Sequence, residues 1–178
     1  MRTGGKAFPS LVAVISLFPL LFFSACSSYV LGPVDELPFK TLYVEAVSND
    51  SLAPQAAPLC SVALREAFLR DGRVKLASSA AGAEAILSVR LTNYRRRVAS
   101  YSSADTARAN SFEIILDGEV SLSGNRADGK ILFEGRSVQG TARLGWSDSK
   151  TSPDGRQPLA AAIRSLSLET VSMSLDTW

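Results

Sequence analysis

Strict alternation over Ser111–Ser123 constrains the fold more than any other feature of this chain. Phe112, Ile114, Leu116, Gly118, Val120 and Leu122 fall on one side of an extended backbone, and Glu113, Asp117, Glu119 and Ser121 fall on the other. Successive strand residues point to opposite faces, so the pattern demands a sheet with one covered face and one that meets water or a partner. Ala85–Tyr94 repeats it: Ala85, Leu87, Val89 and Leu91 line one face, and Ile86, Ser88, Arg90, Thr92 and Tyr94 line the other.

The remaining elements are arranged around these two strands. Phe39–Val47 alternates in the same way, with Leu42, Val44 and Ala46 inward, and the turn cluster Ser48–Ser51 ends it. A helix over Leu59–Arg70 places Cys60, Ala63, Leu64, Ala67 and Phe68 on one stripe, and Gly72 suits the left-handed position that closes it. Arg73–Ala77 is a short extended piece. Arg95–Asn110 is polar and long for a hairpin connection, which makes it a candidate working loop. After the turn Gly124–Gly129, Lys130–Arg143 forms another strand with Ile131 and Phe133 as core candidates. A polar loop, Gly145–Gln157, leads to Pro158, which opens a C-terminal helix with Leu159, Ala162, Ile163 and Leu166 inward; beyond Ser167 the stripe blurs. The expected class is α/β (α+β), in the order β-α-β-β-β-α: a single-layer sheet of about four strands with two helices packed on one face.

The N-terminus carries an address. Arg2 and Lys6 are the only charges before Asp35, and an apolar run from Ala7 to Phe23 separates them from Cys26. A basic start, an apolar stretch and then small residues form the secretory pattern. An uncleaved membrane anchor is the competing reading, weakened by Pro9 and Pro19. Phe23-Ser24-Ala25-Cys26 resembles a bacterial lipobox, although Leu is usual where Phe23 stands. On that resemblance residues 1–25 are a signal peptide, Cys26 is acylated, 26–38 form a tether containing Gly32, Pro33 and Pro38, and 39–178 form one domain. One acyl chain holds a protein only marginally, at about 0.8 kcal/mol per methylene, whereas two or more, palmitate among them, give stable attachment. Ser27 and Ser28 follow the cysteine, where lipoproteins kept in the inner membrane carry Asp. This favours the periplasmic face of the outer membrane. Cys60 then has no partner in the chain, and its place on the apolar stripe marks it as a buried thiol rather than a reactive one.

Candidate chemistry is sparse. The chain has no histidine, which excludes a Ser-His-Asp triad, a Cys-His pair and the usual zinc sites. Glu113, Asp117 and Glu119 read as a solvated strand face before they read as an acid–base pair. Processing at Cys26 would change 19 basic and 17 acidic side chains into 17 of each, so no basic surplus invites nucleic acid. The sharpest polar feature is Arg95-Arg96-Arg97, flanked by Tyr94 and Tyr101. Guanidinium forks grip phosphate or carboxylate; alternatively, these arginines simply keep a strand end soluble.

Phe39–Ser51, Leu64–Leu76 and Gly82–Arg97 resemble the lipopolysaccharide-assembly lipoprotein family LptE, as do Phe112–Leu122 and the following Gly129–Arg136. The resemblance spans roughly residues 39–170 and rests on strand and helix patterns, not on a catalytic motif. It implies a protein that is not an enzyme and needs no cofactor. It also implies an outer-membrane lipoprotein that plugs and supports the β-barrel translocon LptD and assists the insertion of lipopolysaccharide. Family members contact lipopolysaccharide through basic side chains near the hairpin tip and before the last helix. By region alone, the resemblance assigns that role to Arg95, Arg96, Arg97, Arg108 and Lys150. A binding lipoprotein of another envelope system, for lipid transport or barrel assembly, is the alternative.

Overall fold

A computed structural model describes residues 37–101, 109–125, 130–145 and 156–176. Cys26, Arg108 and Lys150, the proposed signal peptide and most of the tether lie outside the described residues.

The described residues form six strands and two α-helices, β1 (Thr41–Val44), β2 (Ser48–Asn49), α1 (Ala56–Asp71), β3 (Lys75–Leu76), β4 (Ala85–Tyr101), β5 (Ala109–Gly124), β6 (Ile131–Gly145) and α2 (Arg156–Leu175), with one 3-10 turn at Ala80–Gly82. The sheet is mixed and six-stranded, in the order β3-β1-β4-β5-β6, with β2 also paired to β4. The expected four strands and the order β-α-β-β-β-α are therefore corrected to six strands in the order β-β-α-β-β-β-β-α. Both added strands are two residues long, too short for any periodicity to show.

The expected first strand breaks in two. β1 runs parallel to β4, and the Glu45 amide donates to the Leu87 carbonyl at 3.0 Å; the chain then shifts phase, leaving Ala46 exposed and Val47 buried. Ser48–Asn49 resumes the pairing opposite Arg90–Leu91, so half of the expected turn cluster is strand. Asn49 Oδ1 then accepts from the Ser51 amide at 3.0 Å and turns the chain toward α1. Helix α1 buries Ala56, Cys60, Leu64, Ala67 and Phe68, and Gly72 closes it at φ 76° with its amide donating to the Phe68 carbonyl at 3.1 Å. Only a residue without a Cβ adopts that φ freely.

β4 and β5 pair antiparallel almost to the ends of a long hairpin, so most of the expected loop 95–110 is strand. Helices α1 and α2 pack on each other and share one core with the inward residues of the sheet. Helix α2 crosses β6 at Gly140, where an added Cβ would lie 2.1 Å from the Ala162 carbonyl oxygen and 2.7 Å from Leu166 Cβ. This glycine sets how closely the helical layer approaches the sheet. The inward stripe of α2 does not blur. Ser167, Thr170 and Ser174 continue it, each buried, and their hydroxyls donate to the carbonyls of Ile163, Leu166 and Thr170 at 2.7–2.9 Å. A hydroxyl satisfied by its own helix enters a core at little desolvation cost.

Among the described residues no helix is long and apolar enough to cross a membrane.

Candidate functional site

The open face of the sheet carries a cluster of charged side chains, and a β-bulge decides which ones. Leu91 pairs with Gly118, but Asn93 pairs with Asp117, so Thr92 is an extra residue on β4. Such an insertion reverses the side-chain phase beyond it. Tyr94 accordingly turns inward, packing against the core opposite Leu116, rather than outward as the uninterrupted alternation predicts. Arg95 and Arg97 turn to the open face. Arg96 turns to the helix side, where its guanidinium lies 4.2 Å from the centroid of the Phe112 ring. The three consecutive arginines are thus divided between the two faces and do not form one cluster.

On the open face, carboxylates on the central strand β5 stand between donors on β4 and β6. Glu113 is in register with Arg97 and Arg143. Arg97 Nε donates to its Oε2 at 2.6 Å, and Arg143 Nε to its Oε1 at 3.1 Å. Asp117 stands between Asn93 and Gln139; its Oδ2 takes the Arg95 guanidinium at 2.7 Å and its Oδ1 takes Gln139 Nε2 at 2.8 Å. Glu119 faces Arg90 at 2.5 Å, and Asp50 approaches the same guanidinium at 3.8 Å. Ile115, between the first two rungs, is 6% exposed although it shares this face.

These pairings favour the charged form of each partner. Hydrogen bonds from Arg97 and then Arg143 hold the Glu113 carboxyl below the usual glutamate range. Water is kept from that carboxylate by the two guanidiniums laid over it, which are themselves largely exposed. The hydrogen bond to Glu119 raises the Arg90 guanidinium further. Asp117 and Glu119 are each engaged by arginine and do not form an acid–base pair. Exposed ion pairs add little stability individually. Their consequence is a surface whose arginines and carboxylates pair with one another and whose guanidiniums retain unused N–H donors.

Of the five basic residues assigned by region, Arg95 and Arg97 lie on this face, Arg96 lies on the other, and Arg108 and Lys150 are outside the described residues. Sequence reasoning missed Arg90, Arg143 and Gln139 as partners. Alternation along β6 contains the signal, since Ser137, Gln139, Thr141 and Arg143 fall on one side. Ile131, expected in the core, is 60% exposed, whereas Phe133 is buried. A bulge containing Gly135, at φ 61°, resets the phase between Phe133 and Val138. Cys60 is fully buried, and burial pushes its thiol up to about 12. Among the described residues no group of acids or thiols is disposed to hold a metal ion.

The sequence matches the lipopolysaccharide-assembly family LptE over residues 39–170. The chain belongs to the LptE family. The match contains every described strand and most of both helices, so the fold described above is that of an LptE-family domain. No curated protein matches the sequence. Among solved structures, a hypothetical protein from Chlamydia trachomatis, CT253, shares the fold with a TM-score of 0.56 at 10% identity, over 75% of this chain and 94% of that one. An uncharacterised lipoprotein B from Nitrosomonas europaea aligns with a TM-score of 0.48 at 21% identity, over 81% of this chain and 84% of that one.

Proposed function

We propose that this LptE-family chain is an outer-membrane lipoprotein that plugs and supports the LptD barrel while lipopolysaccharide is inserted. Acyl chains on Cys26 hold it to the inner leaflet of the outer membrane, facing the periplasm, and residues 26–38 tether the domain. The protein acts through contact, with no catalytic step and no cofactor. Beyond family membership, one observation supports this reading: the sheet-face arginines 90, 95, 97 and 143 are each paired with a carboxylate of the same face. The lumen of a large outer-membrane barrel is polar. A face whose carboxylates already hold their guanidiniums can enter such a lumen without leaving an unpaired charge. The spare N–H groups of Arg95 and Arg97 remain for acceptors on the barrel wall or for lipopolysaccharide phosphate.

Depleting the chain tests the function. Lipopolysaccharide should disappear from the cell surface and accumulate at internal membranes. An intact surface layer in depleted cells would overturn this assignment and favour another envelope transport or assembly system. For the anchor, Cys26→Ala should release the chain from the membrane fraction or leave its precursor unprocessed; unchanged fractionation and acylation would refute lipidation.

A further inference from the structure

Helix α1 departs from the usual amphipathic design. Opposite its buried stripe lie Leu59, Val62 and Leu69, spaced three and seven residues apart and 43%, 55% and 65% exposed. Leu168 of α2 adds a fourth apolar side chain, 57% exposed. A helix that faces only water keeps its outer side polar, so this surface is shaped for something besides water.

The cations nearby indicate what. A groove of about 60 Å³ runs between the two helices, with Arg70, Arg164, Glu66 and Leu168 in its lining. Neither Arg70 nor Arg164 has an ion-pair partner among the described residues, whereas the sheet-face arginines 90, 95, 97 and 143 all hold carboxylates. Two uncommitted guanidiniums beside a leucine stripe complement a ligand that carries phosphates next to acyl chains. On the sheet face an incoming phosphate would compete with a carboxylate already in place. Here the one acid in the lining, Glu66, holds neither guanidinium. The groove is far too small to enclose an acyl chain, so the ligand lies across the helical layer with only its phosphates at the groove.

We propose that the outer surface of α1 and α2 receives lipopolysaccharide, with phosphate at Arg70 and Arg164 and acyl chains along Leu59, Val62, Leu69 and Leu168. The inference rests on the lipopolysaccharide-assembly reading and gives the two faces separate tasks, the sheet toward the barrel and the helices toward the cargo.

The test uses the full-length chain in outer membranes, with a photoreactive benzoylphenylalanine replacing Val62 or Leu168. Irradiation should give a lipopolysaccharide adduct. Arg70→Gln combined with Arg164→Gln should lower its yield about tenfold, the loss expected for two charge-assisted phosphate contacts at an exposed site. Glu66→Gln, which removes the acid lining the groove, should raise it. Thermal unfolding of each variant establishes that the domain still folds. An adduct insensitive to the arginines, or one formed with phospholipid or protein instead, overturns the proposal. Recovery of the barrel is scored in the same extracts. Barrel retained without a lipopolysaccharide adduct refutes the helical site alone, whereas no barrel with the unmodified chain refutes the wider reading.

Discussion

Replacing Gly140 with alanine probes how the helical layer is seated on the sheet. The new Cβ would lie 2.1 Å from the Ala162 carbonyl oxygen, 2.7 Å from Leu166 Cβ and 2.9 Å from the Leu166 amide nitrogen. Two of these atoms are helix backbone, and none can rotate away. To restore ordinary van der Waals contact, α2 must retreat from β6 by about 1 Å. A gap of that size forfeits roughly a quarter to a half of each dispersion contact it opens. Those contacts belong to Leu159, Ala162, Ile163 and Leu166, each 2% exposed or less. Overpacking typically costs about 1–3 kcal/mol, and the immobility of these obstacles places this case at the upper end, about 3 kcal/mol. At about 4 °C per kcal/mol for a domain of this size, Tm should fall by about 12 °C. Gly118→Ala and Gly145→Ala are the matched comparisons. The first meets the Arg90 carbonyl oxygen at 3.2 Å and the second meets nothing within 4 Å among the described residues. Urea unfolding monitored by circular dichroism should therefore rank the losses Gly140, then Gly118, then Gly145, with the last within about 0.5 kcal/mol of the unmodified protein. A Gly140→Ala loss below about 1 kcal/mol, or one no greater than that of Gly118→Ala, would refute the close helix-on-sheet contact.

Two further predictions concern titrating groups. The Glu113 carboxyl is held below its unfolded value, so its contribution is fully present above about pH 4.3 and is lost as the pH falls through the folded value. The stability difference between the unmodified protein and Glu113→Gln should be flat near neutrality and shrink on acidification; a difference that grows toward low pH would contradict the Arg97–Glu113–Arg143 rung. Cys60, with its thiol pushed up to about 12 and no exposed surface, should react with a thiol reagent only as the domain unfolds. Rapid stoichiometric labelling of the native protein would contradict its burial.

The parts of the fold that were legible in the sequence are those where side-chain polarity follows backbone period without interruption. Leu87, Val89 and Leu91 on β4, Ile114 to Leu122 on β5, and the α1 stripe ending at Gly72 all lie where the pattern predicts. What escaped involves single-residue phase changes and polar residues in apolar places. Thr92 and Gly135 each shift the phase of a strand, and neither insertion alters composition enough to be seen. Beyond Thr92 the hairpin arm Arg95–Tyr101 carries arginines on both faces and no apolar alternation, so it reads as a loop although it pairs with β5. Ser167, Thr170 and Ser174 hide the end of α2 because their hydroxyls are spent on their own helix. At the candidate site, Arg95 and Arg97 stand out in the sequence but their pairing with Asp117 and Glu113 does not, since a cross-strand rung is set by register. Arg73 shows the same limit: it ties Asp71 to Asp176 at the far end of α2, at 2.8 and 2.6 Å, a contact spanning more than a hundred residues.

Purification of the chain from outer membranes under mild detergent, with quantification of what accompanies it, tests the central claim most directly. A contact lipoprotein of lipopolysaccharide assembly should emerge with one very large β-barrel protein in near-equal amount. Recovery of the chain in full yield without a barrel partner would contradict it.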